Sequence, residues 1–152
     1  PIKIILPESK IVLIDSLAKR LRFLQEVIDD LELNNIQTCH ARAEDIGRDN
    51  KFRETFDVTT VRAVAELPVL LEYASPLLKV GGRLLAAKGQ EPEKEVASSK
   101  NALQVLGCKV EELDKYSLGK GAEHRALIII KKTNHTSSKY PRQPGKPKKE
   151  PL

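Results

Sequence analysis

The sequence predicts an α/β fold, a doubly wound sheet that is mostly parallel and closes with an antiparallel strand. Over residues 10–106, short apolar runs alternate with longer segments of helical spacing, which is the order that βαβ units produce. The last two predicted strands are joined by a connection too short for a helical crossover, so they must run antiparallel. Hydrophobic residues make up 40% of the 152 residues, enough to fill the core of one domain.

The elements follow from the clustering of apolar and β-branched residues between turn residues. Strands are predicted at 10–14, 36–40, 56–60, 83–87, 109–115 and 126–131. Helices are predicted at 16–31, 68–80 and 92–106, with a polar loop or short helix at 47–54. The residues expected to begin the three helices are Ser16, Pro68 and Pro92, and those expected to end the last two are Gly81-Gly82 and Gly107. The terminal hairpin is expected to put one antiparallel strand at an edge of the sheet.

The net charge of +5 is distributed unevenly along the chain. Residues 131–152 contain seven Lys or Arg and one acid, so the rest of the chain carries one net negative charge. The sequence therefore predicts a domain body at 1–132 and a basic, Pro- and Lys-rich tail at 133–152. Such a tail lies irregularly over the surface or is mobile, and it attracts phosphates in a salt-sensitive way.

Composition also limits the compartment and the kind of site. The sequence has no apolar run of bilayer length and no signal-peptide pattern at its start, so a cytoplasmic protein is expected. Cys39 and Cys108 each fall in a predicted strand and lack metal-ligand spacing, which favours buried free thiols over a metal site.

Polar side chains stand at four predicted strand ends, where packing alone does not require them. They are Asp15-Ser16, Ala43-Glu44-Asp45, Arg62 and Lys88. In this topology the carboxyl ends of parallel strands line one crevice, so these groups are expected to converge there. For any single residue, a helix cap or a solvated strand end explains the side chain as well.

Specific roles can be assigned within such a crevice. Asp15 is a candidate acceptor for a ribose hydroxyl, and Glu44 or the backbone at 43–44 for an adenine edge. Arg62 and Lys88 are cations that could hold a phosphate or an electron-rich base. His124, in the loop before the last strand, is interpreted as a structural or surface residue.

A nucleotide-type crevice also needs a glycine-rich turn after the strand that precedes the acid. The chain begins only nine residues before Lys10 and has no glycine before Gly47. The sequence therefore predicts a domain that lacks its first strand and its glycine loop.

Several segments taken together resemble one family. The resembling segments, in chain order, are residues 13–24 around Asp15-Ser16, then Arg42-Ala43-Glu44, Arg62-Ala63, Lys88-Gly89, Arg125 and the tail from Tyr140-Pro141-Arg142 to Leu152. In this order they are similar to the RsmG (GidB) family, bacterial methyltransferases that modify a guanine at N7 in 16S ribosomal RNA. The resemblance covers essentially the whole chain, and what it leaves unmatched is the family's glycine loop and N-terminal helical region.

The resemblance implies a Rossmann-like methyltransferase that uses S-adenosylmethionine. The positions it implies at the methyl donor are Asp15, Ala43, Glu44 and Arg62; those for the RNA are Arg42, Lys88, Arg125 and Arg142; and those nearest the chemistry are Arg62 and Lys88. The implied partner is 16S ribosomal RNA or the small-subunit particle, without metal or membrane, and the implied state is a monomer.

Two other functions are compatible with parts of the same pattern. A nicotinamide-dependent Rossmann oxidoreductase shares the strand followed by an acid, but it predicts neither the closing hairpin nor the basic tail. A non-catalytic RNA-binding module would use the tail alone, although the aromatic content of 4% argues against a base-stacking surface.

Overall fold

The structure, a computed structural model, describes residues 1–117, 119 and 124–152, with the side chain of His124 left out. The predicted role of His124 and most of its loop therefore lie outside the described residues. The elements in chain order are α1 Ile2–Ile5, β1 Ile11–Asp15, α2 Ala18–Asp30, β2 Ile36–His40, α3 Ala43–Ile46, β3 Phe56–Arg62, α4 Leu67–Ala74, a 3₁₀ turn Ser75–Leu77, β4 Leu78–Lys88, α5 Pro92–Ser98, α6 Lys100–Val105, β5 Cys108–Ser117, β6 His124–Lys132 and α7 Lys146–Lys149. In the described part of the chain, each predicted strand overlaps an observed one, although β4 begins at Leu78, inside the helix predicted at 68–80.

The chain divides into two compact units, residues 1–43 and 44–152. In the first, β1 and β2 pair in parallel from Ile11 opposite Ile36 to Asp15 opposite His40. α2 connects them and buries Leu21 and Ile28 from the predicted apolar stripe.

The predicted cap of α2 is wrong. The helix begins at Ala18 rather than at Ser16, and no side chain caps it. The carboxylate of Asp15 instead accepts a hydrogen bond from the backbone N–H of Leu17 at 2.8 Å, an Asx turn that delays the first helical residue.

The second unit contains a four-stranded sheet in the order β3-β4-β6-β5. β3 and β4 are parallel, whereas β6 is antiparallel to both β4 and β5. The predicted antiparallel hairpin is confirmed, and one of its strands lies at an edge of the sheet as predicted: β5 forms the edge, and β6 lies inside. The reason lies in the run 126–130, which is buried or half-buried on both faces, as central strands require.

The glycine pair does not end a helix. α4 stops at Ala74, the 3₁₀ turn containing Pro76 follows, and Gly81-Gly82 lies inside β4. A Cβ atom on Gly82 would come within 2.9 Å of the carbonyl oxygen of Asp57 on β3, so the glycine allows the two strands to approach.

The helix predicted at 92–106 is interrupted at Ser99. This residue is fully buried, and its hydroxyl donates to the carbonyl oxygen of Glu95 at 2.6 Å, which separates α5 from α6. Gly107 ends α6 as predicted, with a φ of +67°.

One apolar core fills the second unit. The fully buried residues that form its centre are Leu67, Leu71, Leu78, Leu84, Ala86, Ala102, Leu106, Ile128 and Ile130. They come from α4, α6 and the inner strands, so the core holds β3 and β4 in the register that places their carboxyl ends side by side. Aliphatic side chains dominate this core, as the low aromatic content predicts.

Candidate functional site

In the second unit, the carboxyl ends of β3 and β4 form one edge of the sheet. Arg62 pairs in register with Ala87, and Lys88 follows directly, so both predicted cations lie at this edge. The side chain of Arg62 is exposed to solvent. Arg62 is therefore an exposed cation at the edge where ligands generally bind in open α/β sheets.

Lys88 is engaged inside the protein. Its ammonium donates to the carbonyl oxygen of Ala65 at 2.8 Å and to the carboxylate of Glu95 at 2.5 Å, and the side chain is only 9% exposed. The same Glu95 oxygen accepts the backbone N–H of Leu67, the first residue of α4, at 2.8 Å. This network anchors the loop 63–66, so Lys88 positions the residues that follow Arg62.

Glu95 is a site residue that the sequence analysis missed. Acids in the first turn of a helix are ordinary, since they complement the helix dipole. Nothing local distinguishes Glu95 from Glu93 on the same helix, and only the tertiary pairing with Lys88 does so.

The loop after Arg62 also holds an unusual backbone conformation. Ala63 has a φ of +54°, a left-handed value that costs a residue with a Cβ atom about 1 kcal/mol or more. The next residue, Val64, is an exposed apolar side chain. The anchoring by Lys88 and Glu95 is what keeps this segment fixed beside Arg62.

In the first unit, the carboxyl ends of β1 and β2 form a similar edge. Asp15 ends β1 opposite His40, and the sequence 41–43 follows β2 at the same end, with Arg42 exposed and Ala43 opening α3. The ring nitrogen Nε2 of His40 lies 3.0 Å from the carbonyl oxygen of Ser16 and fixes the turn after β1.

Asp15 has the properties of a hydroxyl acceptor. The backbone N–H of Leu17 has the largest effect on the pKa of its carboxyl and lowers it; burial opposes this, and the guanidinium of Arg20, 3.3 Å away, lowers the pKa further. Asp15 is therefore ionised at neutral pH. A carboxylate has about four lone-pair sites, so these two bonds leave capacity for a ligand diol.

Glu44 belongs to the second unit and is 6% exposed. One of its carboxylate oxygens accepts the backbone N–H of Gly145 at 2.9 Å. The C-terminal segment thus reaches the acid that the sequence analysis assigns to the methyl donor.

Arg142 and Arg125 differ in their surroundings. The guanidinium of Arg142 binds the fully buried Glu72 at 2.6 Å, and this partner raises the pKa of Arg142. Arg125 is an exposed residue of β6, in register with Tyr116 of β5. Arg142 is thus part of an internal ion pair, whereas Arg125 lies on the surface.

A metal centre has no ligand set in the described part of the chain, where no group of three His, Cys, Asp or Glu could hold an ion. Within its own unit, each of Asp15 and Glu44 has a carboxylate that accepts a backbone N–H, and oxygens of this kind also accept from hydroxyl or amino donors. Within residues 1–117, 119 and 124–152, no helix is long and apolar enough to cross a membrane.

The fold of this chain is similar to that of solved methyltransferase structures. A variant of the 16S rRNA (adenine(1408)-N(1))-methyltransferase from Catenulisporales acidiphilia aligns with 88% of this chain and 78% of its own, with a TM-score of 0.72 and 15% identity. TYW2 from M. jannaschii in complex with AdoMet aligns with 82% of this chain and 59% of its own, with a TM-score of 0.61 and 17% identity.

The sequence identifies the family within that class. The chain belongs to the GidB family, rRNA small subunit methyltransferase G, whose family model matches residues 1–128. The Ribosomal RNA small subunit methyltransferase G proteins of Desulfitobacterium hafniense and Acetivibrio thermocellus are 57% and 51% identical over the whole chain. The chain spans 64% and 62% of the length of these two relatives. The family resemblance is thereby confirmed, and neither the oxidoreductase nor the non-catalytic alternative is supported.

Proposed function

We propose that this protein transfers a methyl group from S-adenosylmethionine to N7 of a guanine in 16S ribosomal RNA. The observation that carries the proposal is the 57% identity, over all 152 residues, to a protein named Ribosomal RNA small subunit methyltransferase G. The geometry is compatible with it, since both parallel strand pairs end in polar side chains suited to a nucleoside and an RNA base.

In this proposal, the methyl donor is held at the strand ends by its adenosine part. The ionised Asp15 accepts hydrogen bonds from the ribose hydroxyls, and Glu44 with the backbone of Ala43 accepts from the adenine edge. Bound S-adenosylmethionine supplies an electrophilic methyl group. The residues of the chain hold that group in line with the base, which is a contribution of position and electrostatics.

The acceptor explains why the site needs no proton-abstracting residue. Guanine N7 carries an in-plane lone pair at neutral pH, so its attack on a sulfonium methyl does not wait for deprotonation. The exposed Arg62 can donate to the guanine O6 or hold a neighbouring phosphate. The target base must be unstacked, because A-form RNA hides this edge in its deep major groove.

Lys88 takes a different part from the one the sequence suggests. Its ammonium is bound to Glu95 and Ala65, so we assign it the positioning of the 63–66 loop beside Arg62. Contact with the RNA is assigned to exposed cations instead, namely Arg42, Arg125 and the lysines of α7.

The biological setting follows from the substrate. A 16S RNA or small-subunit substrate places the reaction in the bacterial cytoplasm, and we propose that the protein acts as a monomer. Methyl-transfer assays with free 16S RNA and with the small-subunit particle distinguish the two possible substrates.

The proposal is tested by Arg62→Ala in the complete gene product, with transfer of a labelled methyl group to 16S RNA or small subunits as the readout. We expect turnover to fall at least about a hundredfold, the loss typical of a transition-state contact, with no change in unfolding because Arg62 is exposed. Arg83→Ala is the matched control, since Arg83 is an exposed arginine of β4 paired with Glu111 on the surface. Near-normal turnover in Arg62→Ala would contradict the assignment of this edge.

A further inference from the structure

The C-terminal segment 133–152 is fastened to the second unit by charged side chains. Arg53 donates to the carbonyl oxygens of Thr136, Ser137 and Tyr140 at 2.7, 3.1 and 2.8 Å, and Arg48 donates to that of Pro141 at 2.8 Å. Arginine is suited to this because its planar guanidinium presents five donors at once. The central part of the segment is thus held through its backbone.

The beginning of the segment is held by hydrogen bonds to the buried Lys132 and to Glu54. Lys132 is fully buried, and its ammonium donates to the carbonyl oxygen of Ser75 at 2.7 Å and to the hydroxyl of Thr136. The carboxylate of Glu54 accepts from the backbone N–H of Thr136 at 3.0 Å and lies 2.6 Å from Nδ1 of His135. A buried lysine needs such partners, because an unpaired charge in the interior is costly.

A further attachment is the ion pair of Arg142 with Glu72. Glu72 is fully buried in α4 and accepts the backbone N–H of Arg142 at 2.7 Å as well as guanidinium bonds at 2.6 to 3.1 Å. Separating the two groups would leave a buried carboxylate without its counter-charge, which is strongly unfavourable. The pair therefore fixes where the segment lies on α4.

Three residues after Arg142, the segment reaches Glu44. Gly145 has a φ of +84°, a value that glycine adopts easily, and its N–H is directed at the Glu44 carboxylate at 2.9 Å. The position of that N–H depends on the anchored residues before it. A carboxylate has about four lone-pair sites, and this bond uses one of those of Glu44.

We propose that residues 133–147 act as a strap that sets the position of the Glu44 carboxylate for the methyl donor. Arg53, Glu72 and Arg142 are the positioning residues, and Gly145 makes the contact. The inference rests on the proposed function, because it assigns Glu44 to the donor. In this proposal, residues 133–147 have a structural role within the protein, and the exposed lysines of α7 remain available to bind RNA.

The test compares Arg142→Ala with Lys139→Ala in the complete gene product. Both variants remove one positive charge from the segment, but the side chain of Lys139 is exposed and only its backbone N–H has a described hydrogen bond. We expect Arg142→Ala to weaken S-adenosylmethionine binding about tenfold by calorimetry, the effect of losing one charge-assisted hydrogen bond. The KM for the donor should rise with kcat largely kept, and Lys139→Ala should match the parent protein.

Arg142→Ala leaves a buried carboxylate unpaired and could prevent folding. The double variant Glu72→Gln with Arg142→Gln avoids this, since it loses the anchoring charges without leaving one unpaired in the interior. We expect the same tenfold loss, together with faster amide hydrogen exchange at residues 44–47. Donor affinity equal to the parent in a folded variant, or an equal loss in Lys139→Ala, would overturn the strap.

The two proposals fail in different ways. If the unsubstituted gene product does not bind the donor, the proposed function is wrong, and the assignment of Glu44 fails with it. If the parent binds the donor and the folded double variant binds it equally well, the function stands and the strap is wrong. Unchanged exchange at residues 44–47 in the double variant would also overturn the strap, because it measures the attachment without any ligand.

Discussion

Glu95 offers a direct test of how the loop beside Arg62 is held. Its carboxylate is the counter-ion of Lys88, whose side chain is 9% exposed, and it also accepts the first backbone N–H of α4. Glu95→Gln keeps an acceptor oxygen but removes the charge that compensates the nearly buried ammonium. Breaking a fully buried pair costs about 3–5 kcal/mol.

The expected cost is smaller here because the Glu95 side chain is 30% exposed and water can reach the remaining charge. We therefore expect Glu95→Gln to lower the free energy of unfolding by about 2 kcal/mol. For a domain of this size, that corresponds to a fall in Tm of about 4–8 °C.

Glu93→Gln is a matched control on the same helix. Glu93 also pairs with a lysine, Lys115, but both side chains are more than half exposed, and exposed pairs add little. Urea unfolding followed by far-UV circular dichroism measures both variants, and we expect no resolvable change for Glu93→Gln. Equal midpoints for the two variants would show that the buried pairing does not hold the loop.

The remaining predictions concern reactivity, pH and salt. Burial raises the pKa of the Cys108 thiol to about 11, so its thiolate fraction at pH 8 is about one in a thousand. Iodoacetamide should therefore label Cys39 before Cys108, as followed by mass spectrometry. Labelling of Cys108 first would contradict this prediction. Burial opposes ionisation of Glu54, but hydrogen bonds and nearby positive charge outweigh it and lower its pKa. The stability that this carboxylate adds is therefore complete above its ordinary pKa of 4.5 and is lost as pH falls below it. Glu54→Gln should remove this contribution to the acid dependence of urea midpoints measured between pH 3 and 6. A dependence equal to that of the parent protein would refute the prediction. Replacing the three lysines of α7 by alanine should reduce the slope of log binding constant against log salt for 16S RNA by about two, and an unchanged slope would show that α7 does not meet phosphates.

Patterns local in the sequence are enough to predict most of the secondary structure. The run 36–40 becomes β2 with the predicted bounds, and the strand followed by Asp15 marks the carboxyl end of β1. These predictions succeed because side-chain periodicity depends on neighbours a few residues apart. The parallel order follows as well, since the connecting helices require it.

The errors occur where distant segments compete with a local signal. A glycine pair such as Gly81-Gly82 commonly ends a helix. Here it lies in β4 instead, where the backbone of β3 passes within contact distance of Gly82. Serine commonly caps helices, which favours Ser16, but the carboxylate of Asp15 accepts the backbone N–H of Leu17 instead. Such outcomes depend on which partner reaches a group in space, and that information is not local.

By itself, the sequence determined the class of fold, the strands, the family and the polar residues that end the strands. Only the tertiary structure decided which of these charges face solvent and which are used internally. In the sequence, Lys88 and Arg142 are basic residues like Arg62, but in the structure they pair with Glu95 and Glu72 respectively. Charge is a property of a residue, whereas its availability depends on partners that folding brings from far along the chain, 70 residues away in the case of Arg142.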